Sequence, residues 1–227
     1  MSLGEAPLRI VAVSAGLSEP SATRMLADQA LRATVERLRQ SGRNTDARVI
    51  ELAPIAGDIA QALVGGLHSP PVKDAIDALA DADGIIMSTP VYKAAVSGLF
   101  KSFIDVLDND LLIAKPVILA ATAGSERHAM VVDDQLRPLF AFLRTLPVPT
   151  SLFTAPEDWG QAATSKRIER AAGELASLIA SGVSSRIADG GWGSYQHSFG
   201  GNASRAARTG SDVDLATDLM RLARGGN

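Results

Sequence analysis

Residues 84–98 read GIIMSTPVYKAAVSG, and this stretch decides the fold. Residues 84–89 form a short apolar run without polar alternation, bounded by Gly84 and Pro90. A strand of this kind is covered on both faces, as in a parallel sheet flanked by helices. Pro90 is expected to end it, since proline lacks the N–H that a ladder needs. Residues 97–107 then take up helical spacing.

Working outward, the same alternation recurs on both sides. Residues 9–14 (RIVAVS) and 47–52 read as strands one and two, with a helix over Ala22–Gln40 between them. Residues 53–69, punctuated by Pro54, Gly57, Gly65 and Gly66, read as a loop with a helical turn near 59–64. Pro70 and Pro71 suit the first turn of a helix through residue 80. Strand four is expected at 116–122, a helix at 129–143, strand five at 148–154 and a long helix at 161–179. The expectation is an α/β three-layer sandwich whose five-stranded parallel sheet runs in the order 2-1-3-4-5. Residues 1–185 make this body. Residues 186–227 form an extension, with Trp192, Tyr195 and Phe199 among glycines and helical spacing again over 212–223.

Composition narrows the chemistry. The chain has 227 residues, no Cys and three His, which excludes thiolate nucleophiles, disulfides and cysteine metal sites. No His pair sits at metal-ligand spacing, so no metal is expected. A net charge of −3 argues against nucleic acid as a partner. The apolar runs are too short to span a membrane, and the first residues lack signal-peptide character. The expected location is the cytoplasm.

In open parallel sheets ligands bind beyond the carboxyl ends of the strands. Three such ends are unusual here. Residues 14–23 (SAGLSEPSAT) combine hydroxyls with the free N–H groups of a helix start, a setting that suits an anion such as phosphate. Ser21 is equally suited to cap that helix. Residues 88–98 carry Tyr92 on a turn stiffened by Pro90, which can lie against a planar ring or simply pack. Residues 122–128 (TAGSERH) place Gly124 where backbone can approach a ligand, with Arg127 or His128 facing negative charge. For His128, the ordinary reading is a surface or capping residue.

The run TPVYKAAVSGLFKSFIDVLDNDLLIAKPVILAATAGSERHAMVVDDQLRPLFAFLRTLPVPTSLFTAPEDWG resembles the NAD(P)H-dependent FMN reductases of the flavodoxin-like superfamily. It is most similar to the group serving two-component monooxygenases of the luciferase-like and alkanesulfonate type. The resemblance covers roughly residues 8–180, with TPVYK followed by SGLFK as its most specific part. It implies a flavodoxin-like fold and FMN and NAD(P)H as cofactors. It puts FMN phosphate on Ser14, Ser21, Ala22 and Thr23, and the isoalloxazine against Pro90, Val91, Tyr92 and Lys93. Thr122, Gly124, Ser125 and His128 fall at the other side of the ring.

The resemblance also implies a homodimer or homotetramer and a partner monooxygenase that receives reduced flavin. No residue is assigned a catalytic role, because the cofactors carry the reactivity. Two departures stand out. Leu17 occupies a position where many relatives have Arg. Asp134 follows Asp133 where some desulfonation reductases carry Tyr, so their helix distortion and weak flavin retention are not carried over. The alternatives are a quinone or azo reductase that retains FMN, and a flavodoxin-type electron carrier, which the modest charge disfavours.

Overall fold

The computed structural model describes residues 6–188. The proposed aromatic tail and terminal helix therefore lie outside the described residues. Strands β1 (Leu8–Ser14), β2 (Thr45–Glu51), β3 (Gly84–Tyr92) and β5 (Pro116–Thr122) form the body of a parallel sheet. Short strands β6 (Leu146–Pro147) and β7 (Leu152–Thr154) both pair with β5, and β4 (Ala95–Val96) pairs with β3. The order is β2-β1-β3-β5-β6, which is the expected 2-1-3-4-5 arrangement built from seven strands rather than five.

Each central strand feeds two cores, which is why its sequence lacks polar alternation. Val11, Val13, Ile85, Met87, Val117 and Leu119 face one side, packed beneath α3 (Pro70–Asp81) and α4 (Gly98–Val106). Ile10, Ala12, Ile86, Ile118 and Ala120 face the other, beneath α1 (Ala22–Gln40) and α6 (Ala162–Ala180). Burying one such aliphatic side chain contributes about 1.5–3 kcal/mol. A Cβ at Gly84 would overlap the side chain of Ile179, so glycine there lets α6 close onto the start of β3. None of the described helices is long and apolar enough to cross a membrane.

The structure departs from the sequence expectations in several places. Residues 53–69 are not mainly loop. They contain α2 (Ala56–Gly65), anchored by buried Ile59 and Ala62 and closed by Gly66 in the left-handed region. Pro90 does not end β3, because it is the last residue in register with β5, opposite Thr122. A missing donor at the end of a ladder costs little. The strand runs on to Tyr92 and folds back as a two-residue hairpin into β4.

Two further departures are neighbours. The expected helix at 129–143 is a 3-10 turn (Glu126–His128), a π-helical segment (Val132–Leu136) and the short α5 (Arg137–Phe142). Pro138 has no N–H and its ring crowds the carbonyl four residues back, that of Asp134. The widened turn accommodates it, with Arg137 N–H bonded to the Val132 carbonyl. The helix distortion, which the sequence reading did not carry over to this chain, is thus present, with Asp134 following Asp133. The fifth strand splits into β6 and β7 around Pro149, where Thr150 bonds instead to Glu174 through both its N–H (2.9 Å) and its hydroxyl (2.8 Å). Finally, α7 (Val183–Ile187) continues the chain past residue 185.

Candidate functional site

The carboxyl ends of β1, β3, β5 and β7 lie side by side, with Ser14 opposite Ser88, Pro90 opposite Thr122, and Thr122 opposite Thr154. Hydroxyls gather there because successive strand residues alternate faces, and these ends point their polar residues toward the start of α1. Thr23 and Thr122 share a hydrogen bond of 2.7 Å, and Ser88 Oγ donates to the Thr23 carbonyl at 3.0 Å. Thr23 and Thr122 are 3% and 5% exposed, so this pair pins the first loop to the third.

The first loop is shaped for close approach. A Cβ on Gly16 would overlap Ser21 Oγ, so only glycine lets residues 16 and 21 meet. Ser21 is the N-cap of α1, its Oγ accepting from Arg24 N–H at 3.1 Å. The capping reading of Ser21 therefore holds in geometry. What remains open to a ligand is backbone: among the described residues, no protein acceptor faces the N–H groups of Ala22 or Thr23. Unclaimed N–H groups at the start of a 19-residue helix attract an anion. Arg24 supplies no charge to the loop, since its guanidinium pairs with Asp28 and Glu51.

The second loop is the β3–β4 hairpin. Lys93 and Ala94 sit at φ 52° and 64°, a left-handed pair at the two central positions of a tight turn. Such turns favour Asn and Gly, and neither residue here belongs to that set. Tyr92 is exposed at 46%, Lys93 is exposed, Val91 is half-buried and Pro90 is buried. Below the turn, Ser97 N–H donates to Thr89 Oγ1 at 3.2 Å, and Ser97 Oγ caps α4.

The third loop places Gly124 in the open, with Ser125 and His128 half-buried before the π segment. The Ala123 N–H bonds to the Thr154 carbonyl at 3.1 Å, which fixes where this loop leaves the sheet. Ser14, Thr23, Pro90 and Thr122 are thus brought together directly. Tyr92, Lys93, Gly124, Ser125 and His128 occupy the loops that rise from them. Thr154 was not expected from the sequence. Its hydroxyl is buried and has no partner among the described residues, a signal visible only once burial is known.

Comparison with known proteins places this geometry in a family. The sequence profile of the NADPH-dependent FMN reductases matches residues 8–160, which includes all three loops. The chain belongs to that family. A protein named FMN reductase (NADPH) from Pseudomonas aeruginosa is 38% identical over 153 residues, 67% of this chain and 80% of its own length. The NADH-dependent FMN reductase SfnF of Pseudomonas putida is 38% identical over 168 residues, 72% of this chain and 88% of that protein. Among solved structures, an oxidoreductase from Corynebacterium diphtheriae has a TM-score of 0.76 at 43% identity, with 78% of this chain and 99% of the other covered.

The residues present fit the flavin mononucleotide of this family. The open N–H groups of Ala22 and Thr23 suit its phosphate. The exposed hairpin face offers a surface for a planar ring. Among the described residues no cluster of His, Asp or Glu could hold a metal ion.

Proposed function

We propose that this FMN reductase transfers hydride from NAD(P)H to FMN and passes the reduced flavin to a partner monooxygenase. Bound FMN and the nicotinamide supply the redox chemistry. The chain's own residues bind and orient. In this reading the phosphate rests on the start of α1, held by the backbone of Ser21, Ala22 and Thr23 with Ser14 beneath. The isoalloxazine lies against Pro90, Val91, Tyr92 and Lys93, and Thr122, Gly124, Ser125 and His128 close its other side. The observation that carries the reading is the Thr23–Thr122 hydrogen bond, which joins a helix start with open N–H groups to the sheet end beside the hairpin. Among the described residues no cation stands in the first loop, so affinity there rests mainly on backbone N–H groups.

Residues 1–185 act as the reductase unit, with 186–227 as an extension, and the protein works as a homodimer or homotetramer. The test is to titrate purified protein with FMN while following NADH and NADPH oxidation. FMN-dependent oxidation with saturation in FMN is expected, and none with either nucleotide would refute the proposal. Ping-pong kinetics with a quinone or azo dye, and FMN surviving gel filtration, would instead indicate a reductase that keeps its flavin. Mass in solution checks the oligomer.

A further inference from the structure

The β3–β4 hairpin rests on the core through Val91 and Val96 and is closed at its base by Ser97 and Thr89, but its turn has little of its own to hold it. Only two residue pairs join its strands, Val91 with Val96 and Tyr92 with Ala95. Its turn places Lys93 and Ala94 in the left-handed region, where L residues with a Cβ are strained. Two-stranded pieces of this length are marginal without outside support. The turn's support comes from Gln135, 39 residues further along the chain. Its Oε1 accepts from Val96 N–H at 3.0 Å, and its Nε2 donates to the Ala94 carbonyl at 3.1 Å. One carboxamide thus pairs with the outer edge of the hairpin from Ala94 to Val96, and only one orientation of the amide satisfies both partners.

Gln135 is itself held in place. It lies in the π-helical segment, which is tethered on another side to the break between β6 and β7. Arg137 donates to Asp133 Oδ1 at 2.7 Å and to the carbonyls of Val148 (3.0 Å) and Pro149 (2.7 Å). Ser151 Oγ donates to the same Asp133 oxygen at 2.6 Å. The widened turn is therefore fixed to the sheet below it while Gln135 reaches the hairpin.

We propose that Gln135 is the positioning residue of the flavin loop, holding the strained Lys93–Ala94 turn in the shape that binds FMN. This rests on the flavin reading above. Gln135 touches the hairpin and not the reacting atoms, so its loss acts on flavin affinity and leaves hydride transfer within the bound complex intact.

Gln135→Met, of similar length and without polar atoms, is compared with wild type. It is expected to raise the Kd and KM for FMN about tenfold while kcat changes less than about twofold. In flavin-free protein, amide exchange at Val96 is expected to accelerate. Adding Ala94→Gly, which removes the Cβ strain at φ 64°, is expected to restore most of the lost affinity. Because a glycine there also stabilises the fold at large, rescue is read at a temperature where both variants are fully folded. Faster exchange at Val96 with unchanged FMN affinity overturns the proposal, as does failure of Ala94→Gly to restore affinity. If Gln135→Met does not fold, Gln135→Glu decides. It keeps the acceptor for Val96 and loses the donor to Ala94, so an intermediate FMN affinity supports the proposal and wild-type affinity overturns it. If wild type itself binds no FMN, the flavin reading fails and this proposal with it. If wild type binds FMN and Gln135→Met binds it equally, this proposal alone fails.

Discussion

The first loop and the β3–β4 hairpin flank the same site and are held by opposite means. The first loop is assembled from its own sequence: Ser21 caps α1, Gly16 lets that serine close in, and Ser14 Oγ accepts from Gly16 N–H at 3.4 Å. The hairpin has a poor turn sequence and depends on Gln135, which comes from a distorted helix anchored to a broken strand. The contrast teaches that adjacent parts of one binding site can differ in where their geometry is encoded. Damage to the first loop should be local and direct. Damage to the hairpin should also arise from a distance.

The largest effect expected is on the locally encoded side. Gly16→Val forces its new side chain against Ser21 and should cost about 2 kcal/mol of stability. FMN affinity should fall with it in a fluorescence titration, because the clash displaces the start of α1 with its open N–H groups. If binding survives unchanged, the first loop is not the phosphate site.

Next comes the seam between the loops. Thr122→Val leaves Thr23 Oγ1 buried without its partner and should cost about 1–3 kcal/mol. Thr23→Val together with Thr122→Val removes both hydroxyls and should be closer to wild type in thermal stability than either change alone. Additive losses in that double-mutant cycle would mean the hydroxyls do not work as a pair.

Ser21→Ala should cost about 1 kcal/mol through the lost helix cap, read as a lower melting temperature. The backbone N–H groups stay in place, so its FMN affinity should weaken less than that of Gly16→Val.

The smallest effect concerns the remote anchor of the hairpin. The hydrogen bond from Ser151 and the Arg137 guanidinium hold Asp133 below the usual carboxylate range, against the opposing effect of partial burial. A carboxyl depressed by folding contributes stability above its unfolded pKa of about 4 and loses it as pH falls through the lower folded value. Melting temperature should therefore drop below about pH 4, and Asp133→Asn should flatten part of that acid limb. An unchanged acid limb would show that the tether contributes nothing measurable to stability.

These regions also differ in how far they could be read in advance. The strands β1, β3 and β5 were legible because apolar runs without alternation have one reading in a sheet covered on both sides. The first loop was legible because a strand end, a glycine and a capping serine are neighbours in sequence. Pro90 misled, because its missing donor matters only in the interior of a ladder and it stands at the end. Lys93 and Ala94 carry no turn signal of their own, so the hairpin was invisible. Thr154 looked like any strand residue until burial exposed its hydroxyl, unpaired among the described residues.

By itself the sequence determined the layered α/β architecture, since hydrophobic period is a local property, and it carried the family through the resemblance of its TPVYK and SGLFK motifs. Tertiary structure decided the rest of the site: the pairing of Thr23 with Thr122, the widened turn before Pro138 and the grip of Gln135 on Val96. The physical reason is that a single hydrogen bond between residues far apart leaves no periodic trace along the chain. It exists only after the sheet and both cores have brought its two ends within reach.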